Sequence, residues 1–315
     1  MIPEFPKFKK LELSDKEDIE KFTCKFPPYS DFSFISMWSW DIKNEMQVSQ
    51  LNNNLVVRFT DYLTGKPFYS FLGNNKINET AEALINLSKK EGLKPELKLV
   101  PEDSIRNLDK KKFTTKEEND HFDYIYSTEG ISSYGSPRNK KNRQLVRYFN
   151  KMHKFEIHNL DLTDAKKQRL LLDLIELWTK NKKDKVGLAE DYTELEDLRN
   201  ESVAFKRFLS VPDYFLKSLI CLSLFIDGDL SGFIIGEKIS KDYCLAHFGK
   251  ADIKYKGISQ FLMQQNAKFF WDLGVIYHND EQDLGLQKLR FSKNSYELAH
   301  FLKKYTIALI DDSVI

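Results

Sequence analysis

Apolar positions along the chain change their period repeatedly, and each change predicts an element. Ser14-Asp15-Lys16-Glu17 has the spacing of a capping box and predicts a helix running to Phe22. Pro27-Pro28 interrupts the chain before an aromatic-rich helix expected over 32–40. Alternating patterns then predict strands over 46–51 and 55–59, joined across Asn52-Asn53-Asn54, whose residues tolerate positive φ. A strand over 68–72 follows. Asn78 is expected to cap a helix with Ala81, Leu84, Ile85 and Leu87 on one side. A strand over 96–100, a short helix over 101–108 and a strand over 112–115 complete the first half.

The second half repeats that order. Strands over 219–226 and 230–238 flank the tight turn Asp227-Gly228-Asp229, and a third strand spans 243–248. A helix over 258–273, a strand over 275–277, a helix over 284–293 and a closing strand over 305–310 follow. Both halves read hairpin, strand, helix, strand, helix, strand, which suggests a duplicated domain. The fold class expected is α/β (α+β): two tandem domains, each a mixed, mainly antiparallel sheet flanked by helices. The expected boundaries are 1–125, a linking segment over 126–155, and 156–315. That segment carries a basic helix, 137–153, with Leu145, Val146 and Phe149 inward; helices over 164–181 and 198–209 open the second domain.

Composition narrows the function classes. The 315 residues suit two domains, and 41% hydrophobic with 13% aromatic content can fill two cores. A net charge of +1 selects no partner, so attraction to nucleic acid must come from local patches. Cys24, Cys221 and Cys244 form no CxxC pair, which fits a reducing compartment and gives no zinc spacing. The longest apolar stretch, 216–226, is far shorter than the ~20 residues a span requires, and residues 1–10 lack a signal-peptide core. The expectations are no membrane span, no metal, and a cytoplasmic location.

Three segments carry candidate chemistry. From His247 to Ser259, a strand ends in a basic loop and a Gly-containing turn that starts a helix. Exposed N–H groups and the helix dipole suit such a turn to an anion, with Lys254 and Lys256 adding charge beside Gly257, Ile258 and Ser259. From Tyr277 to Tyr296, Glu281 and Asp283 could bind an acceptor amine or take its proton, while Arg290 and Lys293 share a helix face and could hold a phosphate or carboxylate. Asp280 reads as a carboxylate favoured near a helix start. Tyr277 and Tyr296 read as core tyrosines or proton donors, and His247 and His278 as ordinary hydrogen-bonded histidines. The aromatic group Phe32, Phe34, Trp38 and Trp40 reads as core. In the basic helix, Arg138, Lys140, Lys141, Arg143 and Arg147 read as a solvated face or as contacts to an RNA backbone. No hydrolase elbow, Walker loop or Rossmann fingerprint is present.

The run Asn279, Glu281-Gln282-Asp283-Leu284-Gly285, Leu289-Arg290, Lys293 and Ser295-Tyr296 resembles the signature of the phosphatidylglycerol lysyltransferase C-terminal family. Lys254-Tyr255-Lys256-Gly257-Ile258, Tyr29-Ser30-Asp31-Phe32, Trp38-Ser39-Trp40, Tyr124-Ile125-Tyr126 and Lys141-Asn142-Arg143 are similar to it in the same order. The segment 135–141 departs from the family's Gly/Lys-rich run. The resemblance implies tandem GNAT-type folds and transfer of an aminoacyl group from tRNA to an acceptor such as a lipid head group. It also implies that the Lys254–Ser259 turn receives either the pyrophosphate of coenzyme A or the end of a charged tRNA. Glu281, Asp283, Lys293 and Tyr296 become the candidate catalytic residues, with Asn279 and Arg290 on the acceptor side. Aminoacyl transfer to an amine or hydroxyl, on a small molecule or lipid head group, is the leading expectation. Acetyl-coenzyme A-dependent N-acetylation and a non-catalytic RNA- or anion-binding module are the alternatives.

Overall fold

The computed structural model of the protein describes residues 1–61, 64–185 and 192–310, with side chains undescribed over 182–198. The first half forms β1 (Lys9–Lys10), α1 (Lys16–Thr23), α2 (Phe34–Trp40), β2 (Gln47–Leu51), β3 (Asn54–Thr60), β4 (Pro67–Leu72), α3 (Ile77–Lys90), β5 (Glu96–Pro101), α4 (Glu102–Ile105) and β6 (Phe113–Glu117). The second forms β7 (Asp123–Ser127), α5 (Thr128–Ser133), α6 (Lys140–Met152), β8 (Phe155–Asn159), α7 (Ala165–Lys185), α8 (Tyr192–Leu209), α9 (Asp213–Leu216), β9 (Leu219–Ile226), β10 (Asp229–Lys238) and β11 (Tyr243–Ala251). It continues through α10 (Ile258–Asp272), β12 (Tyr277–Asn279), α11 (Gln287–Lys293), β13 (Leu298–Leu302) and β14 (Lys304–Leu309).

These strands make two seven-stranded sheets, ordered β1-β2-β3-β4-β5-β14-β6 and β13-β7-β12-β11-β10-β9-β8. Both are mixed and mostly antiparallel, with β4–β5 and β11–β12 paired in parallel. The expected tandem α/β class is therefore present. Both hairpins are where expected. Asn52 and Asn53 take φ of 53° and 60°, and Asp227 and Gly228 take 53° and 87°, as a two-residue turn between twisted strands requires.

The sequence reading erred on the last strand. Residues 304–309 do not close the second sheet; β14 enters the first, antiparallel to both β5 and β6. In the second sheet β7 pairs antiparallel with β12. The first sheet thus takes one strand, β14, from the other half of the sequence. The compact units follow this crossing: residues 1–123, 282–285 and 302–315 form one, and 124–281 with 286–301 the other. The expected boundaries at 125 and 155 change accordingly, and residues 311–315 lie outside the described residues. The basic helix α6 is not a linker. Val146 and Phe149 are buried in the second unit's core, and Asn142 donates to the Ser295 carbonyl at 2.8 Å.

Smaller corrections are local. The capping box lies two residues earlier than read, with the Asp15 carboxylate accepting from the Glu12 N–H at 2.9 Å. Asn78 is inside α3 rather than its cap, and its side chain accepts from the Asp109 N–H. Residues 284–286 lie outside α11, and β12 begins at Tyr277 rather than 275.

In the first unit α3 lays Ile77, Ala81, Leu84 and Ile85 on Val56, Phe71, Leu97 and Ile307 of the sheet. Of the aromatic group expected in the core, Phe32 packs edge-on against Phe59 and Phe34 is buried, while Trp38 and Trp40 are only half-buried. In the second unit α10 lies close to β10 because Gly232 and Gly236 leave a smooth track. A Cβ at either would come within 2.6 Å of Leu262 or 2.7 Å of Phe270. Elsewhere in that unit, Phe205 and Phe208 of α8 pack on Phe248 of β11 at 5.1 Å.

One polar cluster lies within the first unit's core. The fully buried Lys304 ammonium meets the carboxylates of Asp123, at 2.7 Å, and Asp31. Asp123 also accepts from the Ser30 N–H at 2.7 Å and the Ser30 hydroxyl at 2.6 Å. Burial works against the charge on Lys304, but the two carboxylates outweigh it and hold its pKa above the usual lysine value. Lys304→Met is expected to lower stability by about 3–5 kcal/mol, because two buried carboxylates lose their counter-charge. Urea unfolding measures it.

Candidate functional site

The second sheet opens at one place. The parallel pairing of β11 with β12 runs through Tyr243–Tyr277, Cys244–His278 and Leu245–Asn279 and then stops, while β11 continues to Ala251 along β10. Beyond Leu245 the β12-facing edge of β11 is left without that partner, and the chain leaving β12 turns sharply. The Glu281 N–H donates to the Asn279 side chain at 2.7 Å, and Glu281 is held at a φ of 57°. Main-chain bonds from the Asp280 N–H to the Tyr124 carbonyl and from the Tyr124 N–H to the Glu281 carbonyl, both 3.0 Å, fix this turn to β7.

Asp280 projects from the turn toward α11. Lys293 donates to the Asp280 carboxylate at 3.0 Å and also to its carbonyl. His278, fully buried, aims Nε2 at the same carboxylate across 3.8 Å, and that nitrogen has no hydrogen-bond partner. Its Nδ1 faces Asn266 at 3.4 Å and the Cys244 thiol at 3.6 Å. Burial disfavours the Asp280 anion, yet the Lys293 ammonium and His278 outweigh that cost and hold its pKa below the usual aspartate value. The Tyr126 hydroxyl donates to the Lys293 carbonyl at 2.9 Å, so α11 is tied to the strand beneath it. The result is an ionised carboxylate, 23% exposed, beside a buried ammonium and a buried imidazole. Such a group can orient an ammonium or hydroxyl, or take its proton.

The predicted site residues divide around this centre. Lys293 lies in it. Glu281 is next to it, half-buried in the turn. Asn279 is buried with its side chain bonded to the backbone, and Arg290 is half-buried on α11. Asp283 is buried in the first unit, where it accepts from the Gly285 N–H at 2.8 Å and shapes a turn with Leu284 and Gly285 at φ of 56° and 74°. Tyr296 is a core residue, stacked on Tyr134 and tilted against Tyr126, and burial raises its pKa. His247 is a hydrogen-bonded histidine as expected, 2.9 Å from the Glu237 carboxylate. Asp280 and His278, read from the sequence as a helix-start carboxylate and an ordinary histidine, are brought together here. A one-residue-in-two pattern through β12 puts them on the same side of the strand, which was the available signal.

The Gly-containing turn expected before α10 is present. Gly257 caps α10 with φ of 92°. It approaches α6 so closely that a Cβ would lie 2.4 Å from the Leu145 carbonyl oxygen. Ile258 is buried in the core and anchors the turn; Ser259 is exposed. Lys254 pairs with Asp252 at 3.0 Å while remaining 64% exposed. The close contact makes the turn and the basic helix one surface: the Lys256 ammonium lies 5.2 Å from the Tyr148 ring. Arg138, Lys140, Lys141, Arg147 and Lys151 are exposed on that surface. Arg143 is different. Its guanidinium donates to the Tyr134 and Ser136 carbonyls and fastens the helix start. Among the described residues no group of three His, Cys, Asp or Glu side chains could hold a metal.

Residues 26–308 match the family model for the C-terminal region of phosphatidylglycerol lysyltransferase. The chain belongs to that family. The lysyltransferase family match and fold support an acyltransferase of this type. The fold is also that of a conserved protein of unknown function from Bacteroides thetaiotaomicron, with TM-score 0.81, 23% identity, and 98% of this chain and 100% of that one covered. The C-terminal domain of a protein described as a lysylphosphatidylglycerol synthetase from Agrobacterium fabrum follows at TM-score 0.60 and 10% identity, with 96% and 92% covered. L-PGS from Bacillus licheniformis gives TM-score 0.58 at 11% identity, with 100% and 95% covered. No curated protein sequence matches the chain. Among the described residues no helix is long and apolar enough to cross a membrane.

Within this lysyltransferase fold two residues test the geometry. Gly257→Ala is expected to cost roughly 2 kcal/mol or more in chemical denaturation, from positive φ and the clash with Leu145. Asp280→Asn is expected to cost about 1–3 kcal/mol at neutral pH. Because the folded pKa of Asp280 is depressed, its contribution is complete above the unfolded value of 3.8 and is lost as pH falls through the folded one. The stability gap between the two proteins should therefore close below pH 3.8, as followed by urea midpoints.

Proposed function

We propose that the protein transfers an aminoacyl group from a charged tRNA to an amine or hydroxyl acceptor, on a small molecule or a lipid head group, in the cytoplasm. The observation that carries this reading is the union of the α10 turn with the exposed cations of α6. A short acyl carrier needs the turn alone; a long polyanion also needs the extended basic face beside it. Lys254, Lys256 and the N–H groups of Ser259 and Gln260 in the first turn of α10 receive phosphate at the donor end, the Ile258 N–H being bonded to the Tyr255 carbonyl, and Lys140, Lys141 and Arg147 hold backbone further away.

In the transfer, the acceptor nitrogen or oxygen attacks the ester carbonyl joining the amino acid to the terminal ribose. The carbon–oxygen bond to the ribose breaks, an amide or ester forms, and the ribose oxygen regains a proton. Asp280 and Glu281, the partly exposed carboxylates of the β12 turn, take the acceptor side, where one can orient the nucleophile and accept its proton. Lys293 keeps Asp280 ionised. Tyr296 supports this centre from the core, and Asp283 shapes the adjoining turn. Positioning of the two reactants supplies most of the rate, since an aminoacyl ester is already activated.

A thermal-melt comparison tests the donor. Bulk aminoacylated tRNA at 100 times its Kd should stabilise the protein by ~2.7 kcal/mol, seen as a raised midpoint that falls back with added salt. A shift with acetyl-coenzyme A and none with charged tRNA would establish the N-acetyltransferase alternative instead.

A further inference from the structure

Phe291 has no packing reason to be where it is. On α11, Lys293 is buried and Leu289 partly so, and their spacing of four puts both on the inward side. Phe291, midway between them, points the opposite way and is 71% exposed, more than any other large apolar side chain among the described residues except Met1. Its ring is not isolated. The Lys141 ammonium of α6 lies 5.6 Å from the ring centroid. Between them, α6 and α11 carry eight Lys and Arg residues (Lys140, Lys141, Arg143, Arg147 and Lys151; Lys288, Arg290 and Lys293) and no Asp or Glu. A large flat ring kept in water within a field of cations matches unpaired nucleotides, which present a π-face and a phosphate at adjacent positions. An interfacial membrane anchor would instead gather several apolar side chains on one face, and the solvent-facing neighbours of Phe291 on α11, Lys288 and Ser292, are polar.

We propose that Phe291 is a stacking platform for an unpaired base of single-stranded RNA, with Lys141 against the neighbouring phosphate. The inference rests on the charged-tRNA reading and deepens it: the unpaired 3′ end of the donor is the segment recognised, and the remaining cations of α6 meet the adjoining duplex. Stacking tolerates any base, so the platform serves tRNAs regardless of their amino acid.

The test compares two fluorescent RNA hairpins of equal duplex length, one blunt and one with a four-nucleotide 3′ overhang, by anisotropy at fixed salt. Wild-type protein should bind the overhang hairpin more tightly. Phe291→Ala should weaken that binding roughly 5- to 150-fold, the range for one stacked base, and leave the blunt hairpin unchanged. Phe291→Trp should restore the preference. Lys141→Ala should lower the log–log salt slope for the overhang hairpin by about 0.7. An exposed Phe tolerates these changes, which a thermal melt of each variant checks. Equal binding of both hairpins by the wild type, or an Ala variant with the full overhang preference, overturns the platform. So does loss of binding to phosphatidylglycerol vesicles in Phe291→Ala with RNA binding intact. If the overhang preference holds while only acetyl-coenzyme A is consumed as donor, the platform stands and the aminoacyl reading falls. If charged tRNA is discharged but Phe291→Ala changes nothing, the reading stands and the platform falls.

Discussion

A buried ammonium must take its counter-charge with it, and that constraint organises the first unit. Lys304 has no access to solvent, so Asp31 and Asp123 must converge on it from elsewhere in the sequence. Asp123 in turn gathers the Ser30 backbone and hydroxyl, and Asp31 accepts from Gln282 at 3.2 Å. Four separated stretches, around residues 30, 123, 282 and 304, are thereby brought to one place. Lys304 opens β14, so the ion pair fastens the start of the one strand that the first sheet takes from the second half. A second buried lysine repeats the device in the other unit, where Lys293 draws Asp280 and the turn after β12 onto α11.

The two lysines differ in what they leave over. Lys304 has two carboxylates, both inside, with a serine completing the shell. Lys293 has a carboxylate that still reaches solvent and a histidine nitrogen without a partner. A network closed to solvent holds structure; one whose carboxylate reaches solvent beside an unpartnered ring nitrogen can also bind. This difference favours Asp280, with Lys293 and His278 behind it, as the chemical centre over the neighbouring Asp283. The close approach of Gly257 to Leu145 then sets the turn before α10 against the basic helix.

Much of the fold was legible because periodicity and turn chemistry are local. Asn52-Asn53 and Asp227-Gly228 announced their hairpins, and α3 and α10 announced their buried faces. The partner of a strand is not local. Nothing in the alternation of 305–310 says which sheet receives it; the deciding residue, Lys304, looked like any surface lysine until its counter-charges were seen around it. The site was legible in the same proportion. Lys293 and the Lys254–Ser259 turn were singled out from charge and spacing. Asp280 and His278 read as a helix-start carboxylate and an ordinary histidine, because the contacts of Asp280 with Lys293 and of His278 with Cys244 join residues far apart in the sequence; Asp283 is buried with its carboxylate accepting from the Gly285 N–H. Arg143 shows the converse. It reads as one more cation of a basic stripe, yet its guanidinium bonds carbonyls of its own segment.

The account stands or falls on the donor. Bulk tRNA charged with labelled amino acids, incubated with the protein and in turn with phosphatidylglycerol micelles, small amines and small alcohols, measures it directly. The account predicts label leaving the tRNA faster than spontaneous hydrolysis and appearing on one class of acceptor, at a rate that Asp280→Asn reduces. Discharge at the spontaneous rate with every acceptor, by a protein that consumes acetyl-coenzyme A under the same conditions, would contradict it.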